Sequence, residues 1–565
     1  MSHPRLSRRD ILRGTLGLGA LALLGGPAGA RTLGAAGAGV RAGRIAADAE
    51  PLSIVRVWPR GDRQIAALAG LDDTHMAFAD GSREYLLWPG DRARLDAVGA
   101  EYVVTTPDLL ADRRVPAGAS TVAVQPGQRT NGYRHLKDVE DDLRKLAKDH
   151  PDKARVFVLP ERSLEGRQVL GLEIAYPIGV NDGRPTALLD GAHHAREWPS
   201  VELPMMFAYD LLENYGTDAR VTKIVDTQRT LIVPVVNVDG FHYTRTAVVQ
   251  ADTSTPPGGS NGDAVGVPFA LSVAGEQAYW RKNRRSFTGV TTPTGSNPDA
   301  YGTDPNRNYA YFWGGSGSSA TQTDQTHRGS APYAEPEARN IAGLVLSSNI
   351  TSMITNHTFG KLCMRPWGAV PDESPDNELQ ESVSALMVAS NGYANILARQ
   401  LYNTAGTSRD WAYAAVSTLI WTFEHGVEFH GPYDSTIPAM YAINREPYLL
   451  MCELAGSPSA HAVVTGRVVD SAGNPLRATV RTVKAFETLT AAGVGIPEKL
   501  DAAFDVGEDG AFAIHMNPTT RPTPAIDEGV VESVDIVVSV PGRAPVTVPV
   551  ILGRGETADL GTITL

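Results

Sequence analysis

Short runs of apolar residues alternate with segments of helical spacing through the middle of the chain. Continuous apolar runs at residues 186–189, 231–236 and 416–423 predict strands that are buried on both faces. A helix is indicated by apolar side chains that recur every three or four positions, namely Leu136, Val139, Leu143 and Leu146. Strands that alternate with helices are typical of an α/β sheet, whose ligand sites lie at the strand ends.

Different patterns flank this α/β region on both sides. Residues 51–107 contain three short strand patterns and two short helical ones, which predicts a small α+β domain. Residues 460–565 carry short strands separated by turn signals, which is typical of a β-sandwich. The polar, Pro- and Gly-bearing stretch 107–129 is typical of a linker. A chain of 565 residues is too long for one core, so several domains are expected.

Residues 1–30 predict an export signal. A charged start is followed by an apolar run to Leu24 and then by the small residues Ala28, Gly29 and Ala30. The adjacent arginines Arg8 and Arg9 resemble a twin-arginine signal, which implies a secreted, extracellular protein. An ordinary secretory signal is the alternative, and it leads to the same destination. The apolar run is too short and Gly-rich for a good membrane span, and we expect no other span.

Composition excludes some classes of partner. The net charge is −12 and no long basic run occurs, which argues against nucleic acid. A hydrophobic content of 42% with 20% charged residues is typical of a globular protein. The two cysteines, Cys363 and Cys452, are too few for a disulfide framework or a cysteine zinc site. We expect both to be buried thiols.

The first candidate chemistry lies where the strand at residues 186–189 gives way to a helix. His194 and Glu197 are three residues apart, so an imidazole and a carboxylate can converge on one metal ion. Short motifs of this kind recur by chance. The alternative is a capped helix start with a solvated group of charges.

Four later stretches are each ambiguous alone. Arg281 lies in a basic run typical of a solvated face, and Asn306 and Arg307 lie in a polar loop typical of a turn. His357 ends a strand-like stretch, where most histidines are structural. Glu424 follows the apolar run 416–423, as either a salt-bridged edge residue or a catalytic base.

Together and in order, these stretches form a specific set. The set consists of Gly191-x-His193-His194-Ala195-Arg196-Glu197-Trp198, Trp280-Arg281-Lys282-x-Arg284, Asn306-Arg307-Asn308, His357, Tyr402, Asp410-Trp411-x-Tyr413 and Phe423-Glu424. It resembles the zinc metallocarboxypeptidases of the pancreatic carboxypeptidase A and B type. The resemblance implies a catalytic domain at residues 130–456, with a mixed sheet covered by helices on both faces. It also makes residues 51–107 propeptide-like, and the opening of residues 460–565 resembles a transthyretin-like, carboxypeptidase-regulatory-like domain.

The resemblance assigns roles residue by residue. It implies one Zn²⁺ held by His194, Glu197 and His357, a general base at Glu424, and an oxyanion-stabilising cation at Arg281. It also implies substrate-binding roles for Arg196, Asn306, Arg307, Tyr402 and Arg409. Two neutral imidazoles and one carboxylate leave zinc with net positive charge, which lowers the pKa of its water to roughly 7. An arginine that binds a terminal carboxylate through two hydrogen bonds favours an exopeptidase.

Arg409 occupies the position that, in the resembled family, lines the base of the specificity pocket. A guanidinium in a partly dry pocket needs an anionic partner, and a substrate Glu or Asp side chain could supply it. We therefore predict a preference for acidic C-terminal residues. The alternative is that Arg409 pairs with Asp410 or turns to solvent, which leaves a broad pocket.

The sequence thus predicts a secreted zinc carboxypeptidase that acts on peptides or proteins with a free C-terminus. A murein-peptide hydrolase of the same fold is one alternative, and a binding module without catalysis is another, although Glu424 and Arg281 argue against the latter. The small domain is either an activation segment, removed up to about residue 130 near Asp112-Arg113-Arg114, or a permanent accessory domain. The C-terminal domain is expected to assist folding, or to dock on the catalytic domain or another partner.

Overall fold

The computed structural model describes residues 50–68, 71–78, 80–88, 90–109, 122–246, 275–287, 301–522 and 531–565. The predicted export signal, residues 1–30, and the Asp112-Arg113-Arg114 motif lie outside these ranges. None of the helices within these ranges combines the length and the apolar character that crossing a membrane requires.

The first described region is a small α+β unit, as the sequence predicts. Its elements are β1 (Ser53–Trp58), α1 (Gly61–Leu68), β2 (Asp72–Ala77), β3 (Arg83–Leu87), α2 (Asp91–Ala97) and β4 (Glu101–Thr106). The strands form an antiparallel sheet in the order β2-β3-β1-β4. Buried and partly exposed residues alternate along β1, so one face of the sheet covers a core of its own.

The central region alternates strands and helices. Its elements are α3 (Leu136–Asp149), β5 (Ala154–Val158), β6 (Leu170–Ile174), β7 (Thr186–Gly191), α4 (Pro199–Glu213), α5 (Ala219–Thr227), β8 (Arg229–Val233), α6 (Val238–Thr246), α7 (Pro336–Ser348), β9 (Ile350–His357), β10 (Leu362–Arg365), α8 (Asn377–Asn391), β11 (Ala394–Leu397), α9 (Ala398–Leu401), α10 (Ser408–Val416), β12 (Leu419–Glu424) and α11 (Tyr433–Ala455). Short 3-10 turns occur at Gly275–Tyr279, Pro305–Arg307 and Pro458–Ala460.

These strands form one mixed eight-stranded sheet in the order β11-β10-β12-β9-β7-β8-β6-β5. The four neighbours β12, β9, β7 and β8 are parallel, whereas β10 pairs with β12 and β6 pairs with β8 in antiparallel fashion. Every residue of β7, β9 and β12 is buried, so both faces of the sheet centre are covered. This confirms the predicted α/β fold class.

The last region contains two further sheets. Its strands are β13 (Ala462–Val469), β14 (Thr479–Leu489), β15 (Gly495–Asp505), β16 (Ala511–Met516), β17 (Val534–Ser539), β18 (Val546–Val550) and β19 (Thr557–Thr564). One sheet has the order β16-β13-β19 and the other β15-β14-β17-β18, which fits a β-sandwich. Its core is continuous with that of the central region, since buried residues of both belong to one cluster.

One predicted strand begins later than expected. The strand predicted at residues 416–423 begins only at Leu419, because Val416 ends α10 and Ser417 leaves the helix in a left-handed conformation with φ of 61°. Both cysteines are free and buried, as the sequence predicts.

Candidate functional site

The carboxyl ends of three neighbouring parallel strands bring the candidate residues together. His357 ends β9 and Glu424 ends β12, and the two residues pair directly in register. Gly191 at the end of β7 pairs with Asn356 of β9, so the turn after β7 opens beside His357. That turn carries His194 and Glu197. Parallel strands thus place three predicted metal ligands and the predicted base at one edge of the sheet.

The turn between β7 and α4 is held by local hydrogen bonds. Ser200 Oγ donates to the carbonyl oxygen of Glu197 at 2.6 Å and accepts from the amide of Ala192 at 2.9 Å. Pro199 is the first residue of α4. Proline is favourable there because the first N–H groups of a helix have no partner within the helix, so the N–H that proline lacks is not needed. The chain therefore leaves the strand and enters the helix within a few residues, and His194 and Glu197 converge.

His194, Glu197 and His357 form a buried cluster whose ligand atoms all lie within 4.8 Å of one another. Nδ1 of His194 is 2.7 Å from Glu197 Oε1, and Nδ1 of His357 is 2.9 Å from Glu197 Oε2. The two Nδ1 atoms are 3.2 Å apart. Two imidazole lone pairs this close need a cation or a proton between them, and two histidines with one carboxylate are a normal zinc ligand set. The residues present fit the metal.

A second set of contacts orients these ligands. Asp304 Oδ1 lies 3.1 Å from His194 Nε2, and a carboxylate accepts there, so the proton sits on Nε2 and Nδ1 keeps its lone pair. His357 Nε2 lies 3.3 Å from Asn306 Nδ2 and 3.4 Å from Thr355 Oγ1. Both rings are therefore held with Nδ1 towards Glu197.

Opposing effects set the charge states of the two glutamates. Burial alone would raise the pKa of Glu197, but His194 and His357 hold it well below its usual value. Burial raises the pKa of Glu424 well above its usual value, and the charge of Glu197 adds to this effect. Arg281 is the first of the cations that oppose the rise. A carboxylate pair with such divergent environments is characteristic of functional sites.

Arg281 lies beside the metal-ligand cluster. Its Nη2 and Nε donate to Asp304 Oδ2 at 2.8 and 3.2 Å, and its Nη1 is 4.0 Å from Glu197 Oε1. Asp304 thus bridges Arg281 and His194. Burial alone would raise the pKa of Asp304, but Arg281 and then His194 hold it well below its usual value.

The three residues predicted to bind a terminal carboxylate have different surroundings. Arg307 is buried in the 3-10 turn, where Nε donates to Gly317 O at 2.7 Å and Nη1 to Asn306 O at 2.9 Å. Its Nη2 has no hydrogen-bond partner among the described residues. Asn306 joins His357 to α10, because its Oδ1 accepts from the Ser408 amide at 3.0 Å. Tyr402 follows α9, and burial raises its pKa.

Arg409 is buried at the start of α10 and makes three contacts. Nε donates to Asp410 Oδ1 at 3.0 Å, Nη2 to Thr404 Oγ1 at 3.0 Å, and Nη1 to Thr422 Oγ1 at 3.4 Å. The other oxygen of Asp410 accepts from the Gly368 and Ala369 amides. The alternative in which Arg409 pairs with Asp410 is therefore the arrangement found in this structure.

Arg196 is buried by contact with the N-terminal unit. Its two terminal nitrogens bind both carboxylate oxygens of Asp72 on β2, with Nη2 to Oδ1 at 2.5 Å. Its guanidinium carbon also lies 3.9 Å from the centre of the Phe429 ring. Arg83, on β3, donates to Leu401 O and lies 5.7 Å from the centre of the Tyr402 ring.

Two residues of this site were missed from the sequence. Asp304 precedes the Asn306-Arg307 pair, and its place next to that motif was the available signal. Asp72 lies in the polar segment Asp72–Ala77, which carries no strand pattern and no motif. Only the fold brings it to Arg196.

Comparison with known proteins agrees with this geometry. A family model described as zinc carboxypeptidase matches residues 139–439. Zinc carboxypeptidase A 1 of Anopheles gambiae is 27% identical over 305 residues, which is 52% of this chain and 60% of that protein. Carboxypeptidase A1 of Sus scrofa is 26% identical over 363 residues, 62% of this chain and 76% of that protein. The match to the Anopheles protein thus spans less than two thirds of its length.

Two solved structures share the fold. The crystal structure of thrombin activatable fibrinolysis inhibitor has a TM-score of 0.54 at 20% identity, and carboxypeptidase A from Helicoverpa armigera has 0.54 at 19%. Each comparison covers 72% of this chain and 98% of the other. Since the family model spans more than half of the 565 residues, the chain belongs to the zinc carboxypeptidase family.

Proposed function

We propose that the protein is a secreted zinc-dependent carboxypeptidase that hydrolyses the last peptide bond of peptides or proteins with a free C-terminus. The observation that carries this proposal is the meeting of His194, Glu197, His357 and Glu424 at the ends of β7, β9 and β12. Within the described ranges, no other group of three metal-binding side chains lies within ligand reach.

The family uses one Zn²⁺, and the His194-Glu197-His357 cluster can hold it. When bound, zinc supplies a Lewis acid that lowers the pKa of a water molecule to roughly 7 and polarises a carbonyl oxygen. Asp304 keeps the His194 proton on Nε2, so the neutral imidazole presents Nδ1 to the metal.

Glu424 is the proposed general base. It pairs in register with His357 but is not one of the three clustered ligand residues, so it can serve the reaction without holding the metal. Its carboxylate takes a proton from the attacking water and passes it to the leaving amine, a role that typically contributes 10²–10⁴-fold. Arg281, beside the cluster, is the proposed cation for the developing oxyanion.

The terminal carboxylate of the substrate is assigned to Arg307, Asn306 and Tyr402. The Nη2 group of Arg307 remains available to an incoming carboxylate, and the guanidinium is oriented by two backbone carbonyls. A fixed guanidinium that recognises a chain end is the feature that distinguishes an exopeptidase from an endopeptidase.

We propose a modest preference for acidic C-terminal residues through Arg409. The guanidinium is buried at the start of α10, where a substrate side chain of opposite charge gains from it. Asp410 already neutralises part of this charge, so the advantage of Glu over Phe is expected to be about tenfold at most, or about 1.4 kcal/mol.

We propose that residues 51–107 inhibit the catalytic region, residues 130–456, until residues up to about 130 are removed. Asp72 forms an ion pair with Arg196, a proposed substrate-binding residue, and the guanidinium of Arg83 lies over the ring of Tyr402. A substrate cannot contact Arg196 while this pair is intact. We also propose that residues 1–30 direct secretion of the protein and that residues 460–565 form a transthyretin-like domain.

The test compares blocked dipeptides with a free and an amidated C-terminus, with and without a zinc chelator. We expect release of the last residue from the free form only, lost on chelation and restored by zinc. Cleavage of muropeptides without cleavage of any blocked dipeptide would favour a murein hydrolase instead. Absence of all cleavage by processed, zinc-loaded protein would contradict the proposal.

A further inference from the structure

The hairpin of β14 and β15 contacts the loop that orients Arg307. At the hairpin end, Leu489 O accepts from the Phe312 amide at 2.9 Å, and the Ala491 amide donates to Trp313 O at 3.0 Å. The same loop continues to Gly317, whose carbonyl accepts from Arg307 Nε. The C-terminal sheets therefore support the loop that orients Arg307, a proposed substrate-binding residue.

One carboxylate of this hairpin enters the catalytic region. Glu498, on β15, accepts from Trp411 Nε1 at 2.9 Å and from the Tyr333 hydroxyl through the same oxygen, Oε1. Its Oε2 accepts from Thr488 Oγ1 at 3.0 Å on the neighbouring strand. Burial raises the pKa of Glu498, and the hydrogen bonds from Tyr333 and Trp411 oppose that rise. Glu498 is thus the common acceptor for two aromatic donors of the catalytic region, the buried Trp411 and the partly buried Tyr333.

Trp411 belongs to a helix that carries a proposed substrate-binding residue, and Tyr333 contacts a segment that carries two others. Trp411 is wholly buried on α10, two residues after Arg409. The first residue of that helix, Ser408, donates its amide to Asn306. The Tyr333 amide donates to Asn308 O at 2.7 Å, next to Arg307. Glu498 therefore connects helix α10 and the Asn306–Asn308 segment from one point.

We propose that Glu498 is a positioning residue for substrate binding, acting through Trp411 and Tyr333 on α10 and the Asn306–Asn308 segment. This inference rests on the proposed carboxypeptidase function and deepens it. It makes the C-terminal domain a structural part of the substrate site. Without Glu498, the buried Trp411 and the partly buried Tyr333 lose their common acceptor, and we expect α10 and the neighbouring loop to shift in response.

The test uses Glu498→Ala and Tyr333→Phe, in whichever form of the full chain is active. Tyr333→Phe keeps the ring and removes only one donor, so it is expected to fold even if Glu498→Ala does not. Asp501→Ala is the matched control, because Asp501 is also a β15 carboxylate but pairs with Arg481 and Lys499 inside the C-terminal sheet. Glu498→Gln is the conservative variant, since its amide oxygen can still accept from both donors.

We expect KM for a blocked dipeptide to rise about tenfold in Glu498→Ala and several-fold in Tyr333→Phe, with kcat within about twofold. Glu498→Gln is expected to recover most of this loss, and Asp501→Ala to leave KM unchanged. Unchanged KM in folded Glu498→Ala, or in Tyr333→Phe alone, overturns the inference, as does an equal rise in Asp501→Ala. Inactivity of the wild-type protein would instead refute the proposed function itself.

Discussion

Replacement of Asp72 by asparagine is expected to activate the intact protein. Asp72 and Arg196 are 2% and 0% exposed, and they form a buried pair through both carboxylate oxygens. Asparagine keeps the volume of the side chain but removes its charge. In Asp72→Asn, the Arg196 guanidinium is buried without an anion as long as residues 51–107 stay on the catalytic region, which we call the closed state. In the open state these residues detach, and the guanidinium returns to water.

The magnitude follows from the burial of this pair. Removal of one partner from a buried ion pair costs about 3–5 kcal/mol, and each 1.4 kcal/mol is a factor of ten in an equilibrium. The open fraction of Asp72→Asn should therefore rise about a hundredfold or more over that of the uncleaved wild type. The upper limit is the activity of the fully processed enzyme.

The assay measures hydrolysis of a blocked dipeptide by uncleaved protein, with intact mass showing that no processing has occurred. Glu101→Gln is the matched control, since Glu101 pairs with Arg60 on the exposed surface of the same unit and such pairs contribute little. Equal latency of Asp72→Asn and the wild type, when processed enzyme is active, would refute the inhibitory role. Full activity of the intact wild type would refute it as well.

The remaining predictions concern catalysis, specificity and maturation. Glu424→Gln should lower kcat by several orders of magnitude while zinc is retained, and near-normal turnover would assign the base to another residue. A comparison of kcat/KM on dipeptides that end in Glu, Phe and Lys should place Glu first by up to about tenfold. Arg409→Ile should reverse this order. Faster cleavage of the Phe or Lys dipeptide by the wild type would contradict the pocket assignment. Intact mass of the protein secreted by its native host should place the mature N-terminus near residue 130, and active enzyme that begins near Arg31 would argue against removal.

The centre of the fold could be predicted from the sequence because its strands are buried on both faces. Continuous apolar runs such as residues 186–189 have no other satisfactory environment in a globular protein. The proposed metal ligands follow from ordered motifs at the ends of these runs, and the fold brings them together in one buried cluster. Strand β15 carries no clear strand pattern in the sequence, because Glu498 and Lys499 interrupt its apolar residues.

Long-range pairs could not be predicted in the same way. The Asp72–Arg196 pair joins residues that are 124 positions apart, and the Glu498–Trp411 bond joins residues 87 positions apart. A lone Asp or Glu gives no local signal of its partner, since most such residues are solvated. The two alternatives for Arg409 stay open for a different reason, because Asp410 is adjacent along the chain whichever way the two side chains point.

Zinc stoichiometry of three purified proteins tests the central claim most directly. Metal analysis should give one zinc per chain for the wild type, strongly reduced zinc for His357→Ala, and one zinc for Glu424→Gln. The reason is that His357 belongs to the proposed ligand set, whereas Glu424 does not. His150→Ala, at the end of α3 and outside the cluster, should match the wild type. Full zinc together with full activity in His357→Ala would contradict the account.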